Sequence, residues 1–273
     1  MSTPRFQELT IQRINTGGGG SVAVTLDIPP ALREIYRFEP GQFLTLRATV
    51  NGQEERRSYS ISSPGSRLTQ KGELEIGIRP VLGGLFSNWA ATELKVGDKL
   101  SVLPPDGRFT VRKQRAIHRF GFASGSGITP ILSIIASTME ESDSAKFTLV
   151  YGNRRMSSVM FNEALQNLKD RYLNRLTLIH VLSSQAQETE LLEGRVDPAK
   201  VRAIIAAFLP VASMDEVFVC GPEAMIESTE KTLLDGIPLD TYVIDGCVPF
   251  SPAFAGVPQR YLRVLNAGLK GTH

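Results

Sequence analysis

The sequence predicts two domains in series: a small antiparallel β-barrel over residues 1–113, then a doubly wound α/β domain with a parallel sheet over residues 114–244. Three observations predict it. The first ~110 residues hold short runs of alternating polarity cut by glycine and proline, the pattern of a meandering antiparallel sheet. After "KQRAIH" the texture changes to buried-strand runs alternating with helical ones, the pattern of a parallel sheet. The 273 residues suffice for two modest cores.

The elements follow in order. "SVAVTLDI" sets Val22, Val24, Leu26 and Ile28 on one face, a period of two. "QFLTLRATV" and "GELEIGIRP" are further short strands, with turns at "TGGGG", "PG", "NG" and "PPDG". Gly17–Gly20 is not followed by Gly-Lys-Ser/Thr, so it reads as a flexible hairpin loop rather than a phosphate loop. One helix, "LFSNWAATEL", interrupts the barrel and carries Ser87 near its start. In the second domain "RFGFAS", "KFTLVYG", "LTLIHVL" and "EVFVC" are strands. "ITPILSIIASTMEE", "VMFNEALQNLKDRY", "DPAKVRAIIAAFL" and "GPEAMIESTEKTLLDG" are the helices between and after them. Asp197 is the expected N-cap of the third, with Pro198 in its first turn. The domain boundary is expected near residues 112–117, and residues 245–273 read as a linker-like tail.

Composition narrows the function. Hydrophobic residues are 42% and charged residues 21%, and a net charge of +2 gives no basic field for nucleic acid. No apolar run is long enough to span a bilayer, and "MSTPRFQELTIQR" lacks the apolar core of a secretory signal. Two cysteines, Cys220 and Cys247, make no disulfide framework, so a reducing, cytoplasmic compartment is the expectation. The three histidines, His118, His180 and His273, are unpaired in sequence, and no metal site is expected.

Ligands of open α/β sheets bind beyond the carboxyl ends of the strands. Three such ends are unusual here. In "ASGSGITP", Gly125 and Gly127 allow close backbone approach, and the helix starting near Thr129-Pro130 turns its positive end to the same place. That suits a pyrophosphate; a tight strand–helix turn would read the same way. In "YGNRR", Asn153, Arg154 and Arg155 follow a strand, placed either to pair with phosphate or to face solvent. In "VCGPEAM", Cys220 at a strand end with Gly221 and Pro222 is either core packing or part of the mouth of a site. In the barrel, "RRSYSISS" (56–63) sets two arginines, a phenol and four serines in eight residues. A solvated loop and a seat for a flat aromatic molecule with a phosphate tail both explain it.

Arg57-Ser58-Tyr59-Ser60, Gly84-Leu85-Phe86-Ser87, Gly125 to Pro130, Tyr151 to Arg154 and Cys220-Gly221-Pro222, in this order, resemble the ferredoxin–NADP reductase superfamily. The resemblance covers roughly residues 5–240. "GGLFSNW" and "YGNRR…SSVMF" are most similar to the reductase subunits of phenylacetyl-CoA epoxidase and related oxygenase reductases. It implies FAD on the barrel and NADP on the α/β domain. By it, Arg57 pairs with the FAD pyrophosphate, Tyr59 stacks on the isoalloxazine, and Ser60 places a hydroxyl near flavin N5. Gly83, Gly84, Leu85 and Ser87 hold the pyrophosphate from the other side. Gly125, Gly127, Thr129 and Pro130 receive the nicotinamide dinucleotide, with Asn153 and Arg154 beside it. Cys220, Gly221 and Pro222 border the nicotinamide, so Ser60 and Cys220 are the candidate catalytic residues. The implied activity passes electrons from NADPH through FAD to a separate ferredoxin or oxygenase component. A non-catalytic FAD-binding subunit, a truncated remnant and a flavin reductase are the alternatives.

Two features depart from the family pattern. Where NADPH-preferring members often carry Ser-Arg, this chain has Ser183-Ser184 in "VLSSQ", so charge for a 2′-phosphate falls to Arg154, Arg155 or Arg195. No acid replaces the arginine, which favours NADPH and leaves NAD as the alternative. The iron–sulfur domain that follows in epoxidase-type reductases needs C-x4-C-x2-C and a fourth cysteine. Here Cys247 stands alone, and "YLRVLNAGLKG" resembles only the first strand and turn of such a domain.

Overall fold

The computed structural model describes residues 5–111, 118–208, 215–236, 242–247 and 259–266; the expected domain boundary at 112–117 lies outside them. The first domain holds β1 (Gln7–Thr16), β2 (Val22–Asp27), β3 (Phe43–Val50), β4 (Gln53–Ser60), β5 (Glu73–Ile78) and β6 (Lys99–Val102). They form one antiparallel sheet in the order β4-β3-β6-β1-β2-β5. Its two edges meet where Ile61 bridges Ile76 and the Ser62 N–H donates to the Glu75 carbonyl at 2.8 Å. The predicted period of two is real: Val22, Val24, Leu26 and Ile28 are all buried, in one core with Leu9, Ile11, Leu44, Leu46 and Ile76.

Two helices decorate the barrel, α1 (Gly65–Lys71) and α2 (Leu85–Thr92). The sequence reading found α2 and missed α1. That helix buries only Leu68, too little for an apolar period to show. It is ended by Gly72 at φ 70°, whose N–H returns to the Leu68 carbonyl at 2.9 Å.

The second domain is doubly wound as expected. β7 (His118–Ser124), β8 (Lys146–Asn153), β9 (Leu176–Leu182) and β10 (Glu216–Pro222) are parallel in the order β10-β7-β8-β9. The strands are apolar on both faces, as buried parallel strands must be. Phe147, Leu149, Tyr151, Phe218 and Cys220 pack towards α3 (Ile128–Glu141) and α4 (Asn162–Arg171). Phe120, Phe122, Val150, Val217 and Val219 pack towards α5 (Pro198–Phe208) and α6 (Glu223–Gly236). Asp197 caps α5 as predicted, accepting the Lys200 N–H at 2.8 Å. Beyond β10 lie β11 (Tyr242–Cys247) and β12 (Gln259–Asn266), with β12 antiparallel to both β10 and β11. Residues 259–266, read from sequence within a linker-like tail, are therefore sheet; 248–258 and 267–273 lie outside the described residues.

The domains meet along α3. Ser133, Ser137 and Glu140 share one face and touch the run after β4. The Ser133 hydroxyl donates to the Ser63 carbonyl at 2.7 Å, the Gly65 N–H reaches Ser137 Oγ at 3.4 Å, and Ser66 bonds Glu140. Two of the serines in "RRSYSISS" are thus joinery: Ser62 and Ser63 bind Glu75 and the α3 seam.

The glycine hairpin between β1 and β2 makes a second contact. It is a hairpin connection, as read from sequence, but a packed one. Gly18 lies so close to the second domain that a Cβ would stand 2.3 Å from the Val159 carbonyl oxygen. Gly18→Ala is expected to cost about 1–3 kcal/mol through that clash of two backbones. Thermal unfolding checks it: the variant melts several degrees lower, and an unchanged Tm refutes the contact.

Candidate active site

The first cluster stands where β4 ends and α2 begins. Arg57, Tyr59 and Glu55 share one face of β4, and Arg57 Nη1 pairs with Glu55 Oε2 at 2.8 Å. The Tyr59 ring lies 5.8 Å from that of Phe86 in α2, tilted by 36°. Burial raises the Tyr59 phenol well above its usual range while the Arg57 cation pulls it down, so the hydroxyl stays protonated near neutral pH. Ser60, the last residue of β4, is buried.

The turn before α2 is built for close approach. Gly83 has φ 74°, and at Gly84 a Cβ would meet Ser87 Oγ at 2.5 Å and Val81 Cγ2 at 2.6 Å. Ser87 Oγ accepts the Val81 N–H at 3.3 Å, which folds the turn over the helix start. No side chain caps the first turn of α2, leaving the positive end of the helix for a ligand. Beside it Val81, Leu82 and Leu85 face solvent, Leu82 without any cover. A free helix start, an arginine and an uncovered apolar ledge fit a phosphate-bearing aromatic cofactor such as FAD.

The second cluster is a cleft of about 370 Å³ at the carboxyl ends of the parallel strands, lined by Arg79, Ser124, Gly125, Gly152, Asn153, Arg154, Ser183, Arg195, Pro222 and Met225 among others. A single 3-10 turn, Gly125–Gly127, passes straight from β7 into α3. Gly125 has φ 55°, and its carbonyl accepts the Tyr151 hydroxyl at 2.8 Å. Gly127 presses on β10: a Cβ there would stand 2.1 Å from the Cys220 carbonyl oxygen. Thr129 and Pro130 are buried in the first turn of α3; the Thr129 hydroxyl donates to the Ser126 carbonyl at 2.9 Å, and its methyl packs on Gly77 of β5. The loops after β8 and β9 stay zipped, Ser183 N–H to Asn153 carbonyl and Ser184 N–H to Arg154 carbonyl, both at 2.9 Å. Arg154, Ser183 and Arg195 are exposed at the rim.

The structure thus gathers Gly125, Asn153, Arg154, Ser183 and Pro222 into one cleft, with Gly127 and Thr129 directly behind its turn. Cys220 is different. It sits at the expected strand end, but its thiol is wholly buried among Phe218, Ala123 and Ile128, and burial pushes its pKa well up. Gly221 is likewise packed, against Met225 and Ser124. Two residues have places here that the sequence reading did not assign: Tyr151, quoted only as part of a motif, and Arg79. Tyr151 ties the end of β8 to the Gly125 turn. Arg79, just past β5 of the barrel, extends its guanidinium to where Cβ atoms on Gly125 and Gly19 would lie 3.2 Å away. No local pattern marks Arg79, because only the closure of the two domains brings it to the cleft.

Comparison with known proteins gives the families of the two domains. Residues 21–111 match the family described as oxidoreductase FAD-binding domain, and residues 122–231 match that described as oxidoreductase NAD-binding domain. The chain is 39% identical over 230 residues to one of the subunits of the 1,2-phenylacetyl-CoA epoxidase of Escherichia coli K12, covering 84% of this chain and 64% of that protein. It is 32% identical over 227 residues to the ferredoxin reductase component of 3-ketosteroid-9-alpha-monooxygenase of Rhodococcus rhodochrous, covering 82% and 60%. The chain thus spans a little under two thirds of these relatives' length. Among solved structures, a ferredoxin NADP+ reductase from Neisseria gonorrhoeae with bound FAD and NADP superposes with a TM-score of 0.70 at 22% identity, covering 88% of this chain and 93% of that one. Among the described residues no helix is long and apolar enough to cross a membrane. With both domain families matched in order and the fold shared, the chain belongs to the FAD- and NAD-binding oxidoreductases of the ferredoxin–NADP reductase type, related to the reductase components of oxygenases.

Proposed function

We propose that this chain is a reductase module that takes electrons from NADPH and passes them through FAD to a separate iron–sulfur protein or oxygenase component. The observation that carries the reading is that both domains build the cleft: Arg79 of the barrel stands against the Gly125 turn of the α/β domain. Bound FAD supplies the chemistry, accepting a hydride's electron pair and releasing electrons singly. The chain's own residues bind and orient. Arg57 and the start of α2 hold the cofactor's diphosphate, and the Tyr59 ring gives it an aromatic wall. Ser60, buried at the strand end, offers a hydroxyl to the reacting edge. The Gly125–Gly127 turn and Arg79 seat the dinucleotide diphosphate. Cys220 and Gly221 keep the sheet mouth narrow beneath the nicotinamide.

Coenzyme choice follows from charge. Arg154 and Arg195 flank Ser183 at the rim, and no Asp or Glu lines the cleft beside them to reject a 2′-phosphate. Arg154→Ala is expected to raise the KM for NADPH about tenfold or more and that for NADH less than about twofold, since a charge-assisted hydrogen bond contributes roughly 1.5–3 kcal/mol. Anaerobic stopped-flow reduction of the FAD-loaded protein by each coenzyme tests both points. Flavin that stays oxidised with NADPH and NADH refutes the reductase reading, and equal effects on both coenzymes refute the role of Arg154. Flavin lost on gel filtration would make the protein a flavin reductase instead.

A further inference from the structure

We infer that the Asn153 side chain is the seat of the adenosine ribose of the bound dinucleotide, an inference that rests on the reductase reading. Asn153 ends β8, and its backbone carbonyl is already used by the Ser183 N–H at 2.9 Å. The residue is only 9% exposed and both polar atoms of its side chain are buried, yet neither Oδ1 nor Nδ2 has a hydrogen-bond partner among the described residues. One neighbour is the Tyr151 hydroxyl, whose phenol feels the Asn153 amide. That hydroxyl donates to the Gly125 carbonyl at 2.8 Å instead, and no bond of proper geometry joins it to Asn153.

An amide buried with both ends unpaired destabilises the protein that carries it. In a folded core such a residue has no advantage over leucine, whose side chain branches in the same way at Cγ without a polar atom to satisfy. Its presence in the lining of the cleft points to a ligand that repays the defect. The kind of ligand group follows from the amide itself. A phosphate only accepts hydrogen bonds, so it would satisfy Nδ2 and leave Oδ1 bare. A group that also donates is needed, and a sugar hydroxyl does so: it donates to Oδ1 while a neighbouring sugar or ester oxygen accepts from Nδ2. Phosphates have better ligands here in Arg79, Arg154 and Arg195.

Position selects the sugar. Asn153 lies between the Gly125 turn, which receives the diphosphate, and Ser183 with Arg154, where a 2′-phosphate would bind. The part of a dinucleotide between those points is the adenosine ribose. Its 3′-hydroxyl is free in both coenzymes, so Asn153 serves affinity for both and does not choose between them. The terminal torsion of an asparagine is soft, and a small rotation turns the amide from its buried setting to the sugar.

The test uses FAD-loaded protein without turnover. ADP, 3′-deoxy-ADP and NADP+ are titrated calorimetrically into wild type and Asn153→Leu, and both proteins are melted without nucleotide. Asn153→Leu is expected to melt at or above the wild-type temperature and to bind ADP and NADP+ about tenfold or more weakly. Wild type is expected to bind 3′-deoxy-ADP about tenfold more weakly than ADP, and the variant to bind the two alike. A variant that melts lower and binds ADP as wild type does makes Asn153 a structural residue and overturns the inference. Equal wild-type affinity for ADP and 3′-deoxy-ADP also overturns it, whatever the variant does. Wild type that binds neither ADP nor NADP+ overturns the reductase reading along with it, whereas failure of the Asn153 arms alone leaves that reading standing.

Discussion

Gly127→Ala is expected to slow flavin reduction by nucleotide on the order of 100-fold while FAD stays bound. The reason is steric and local. Gly127 has φ −61° and ψ −11°, a conformation open to any residue, so the backbone itself does not demand glycine. The space does: a Cβ would stand 2.1 Å from the Cys220 carbonyl oxygen and 2.5 Å from its carbon. Neither partner can step aside. β10 is held in register against β7 and β12, with Phe218 and Cys220 in the core. The turn must therefore lift off the sheet, carrying the Gly125 amide and the start of α3 with it. Displacing a binding turn by about 1 Å costs on the order of 100-fold in rate, and overpacking costs about 1–3 kcal/mol of stability. Gly125→Ala is the informative contrast. There φ is +55°, and the nearest atom to a Cβ is the mobile end of Arg79 at 3.2 Å. Its penalty is the left-handed backbone alone, about 1–2 kcal/mol. Single-turnover reduction of both variants decides. Gly127→Ala reduced at the wild-type rate would show that the turn does not seat the dinucleotide.

What the sequence revealed and what it hid follow one physical line. Patterns written by burial of whole elements were legible. Val22 to Ile28 showed the barrel face, and the doubly apolar runs around Phe122, Leu149 and Val219 showed the parallel sheet. The glycines of the turn between β7 and α3 were legible too, because a tight strand–helix turn leaves a local mark at Gly125 and Gly127. Features created by closure of the two domains left no such mark. Arg79 looks like an ordinary strand-end arginine until the α/β domain comes against it. Ser62 and Ser63 read as part of a binding run but bind Glu75, and Ser63 also joins the α3 seam. Gly18 reads as hairpin slack and is a contact. Cys220 was placed correctly along the chain, but the parity of β10 turns its thiol into the core with Phe218, which only the register of the sheet decides. β12 adds to the edge of β10 from about 40 residues away, beyond the reach of any local period.

Tyr59→Ala and Arg57→Ala are expected to yield folded protein nearly free of FAD, but for different reasons that two further variants separate. Tyr59 presents a half-buried ring beside Phe86, and losing it removes both a stacking wall and the apolar area it would share with the cofactor. At about 25 cal/mol per Å² plus roughly 1 kcal/mol for the ring contact, FAD affinity falls about 100-fold. Tyr59→Phe keeps the ring and should keep the flavin, since the phenol carries no charge near neutral pH. Arg57 acts by charge. It is paired with Glu55, whose side chain is only 14% exposed. Removing the arginine therefore does two things: it takes a cation from the cofactor's diphosphate, and it leaves a sheltered carboxylate facing the same anion. Each direction of the effect weakens FAD, so Arg57→Ala should lose more than the roughly tenfold to 100-fold of a single charge-assisted hydrogen bond. Arg57→Ala/Glu55→Gln removes the second penalty and should recover part of the affinity without restoring the first. Flavin fluorescence titration of the apoproteins measures all four. The barrel core of Leu44, Leu46, Ile61 and Ile76 is untouched in each, so their melting without FAD should stay close to wild type, with Tyr59→Ala lowest because its ring packs on that core. Full flavin occupancy in both Tyr59→Ala and Arg57→Ala would mean that β4 is not where the cofactor lies, and a double variant no better than Arg57→Ala would mean that Glu55 never faces it.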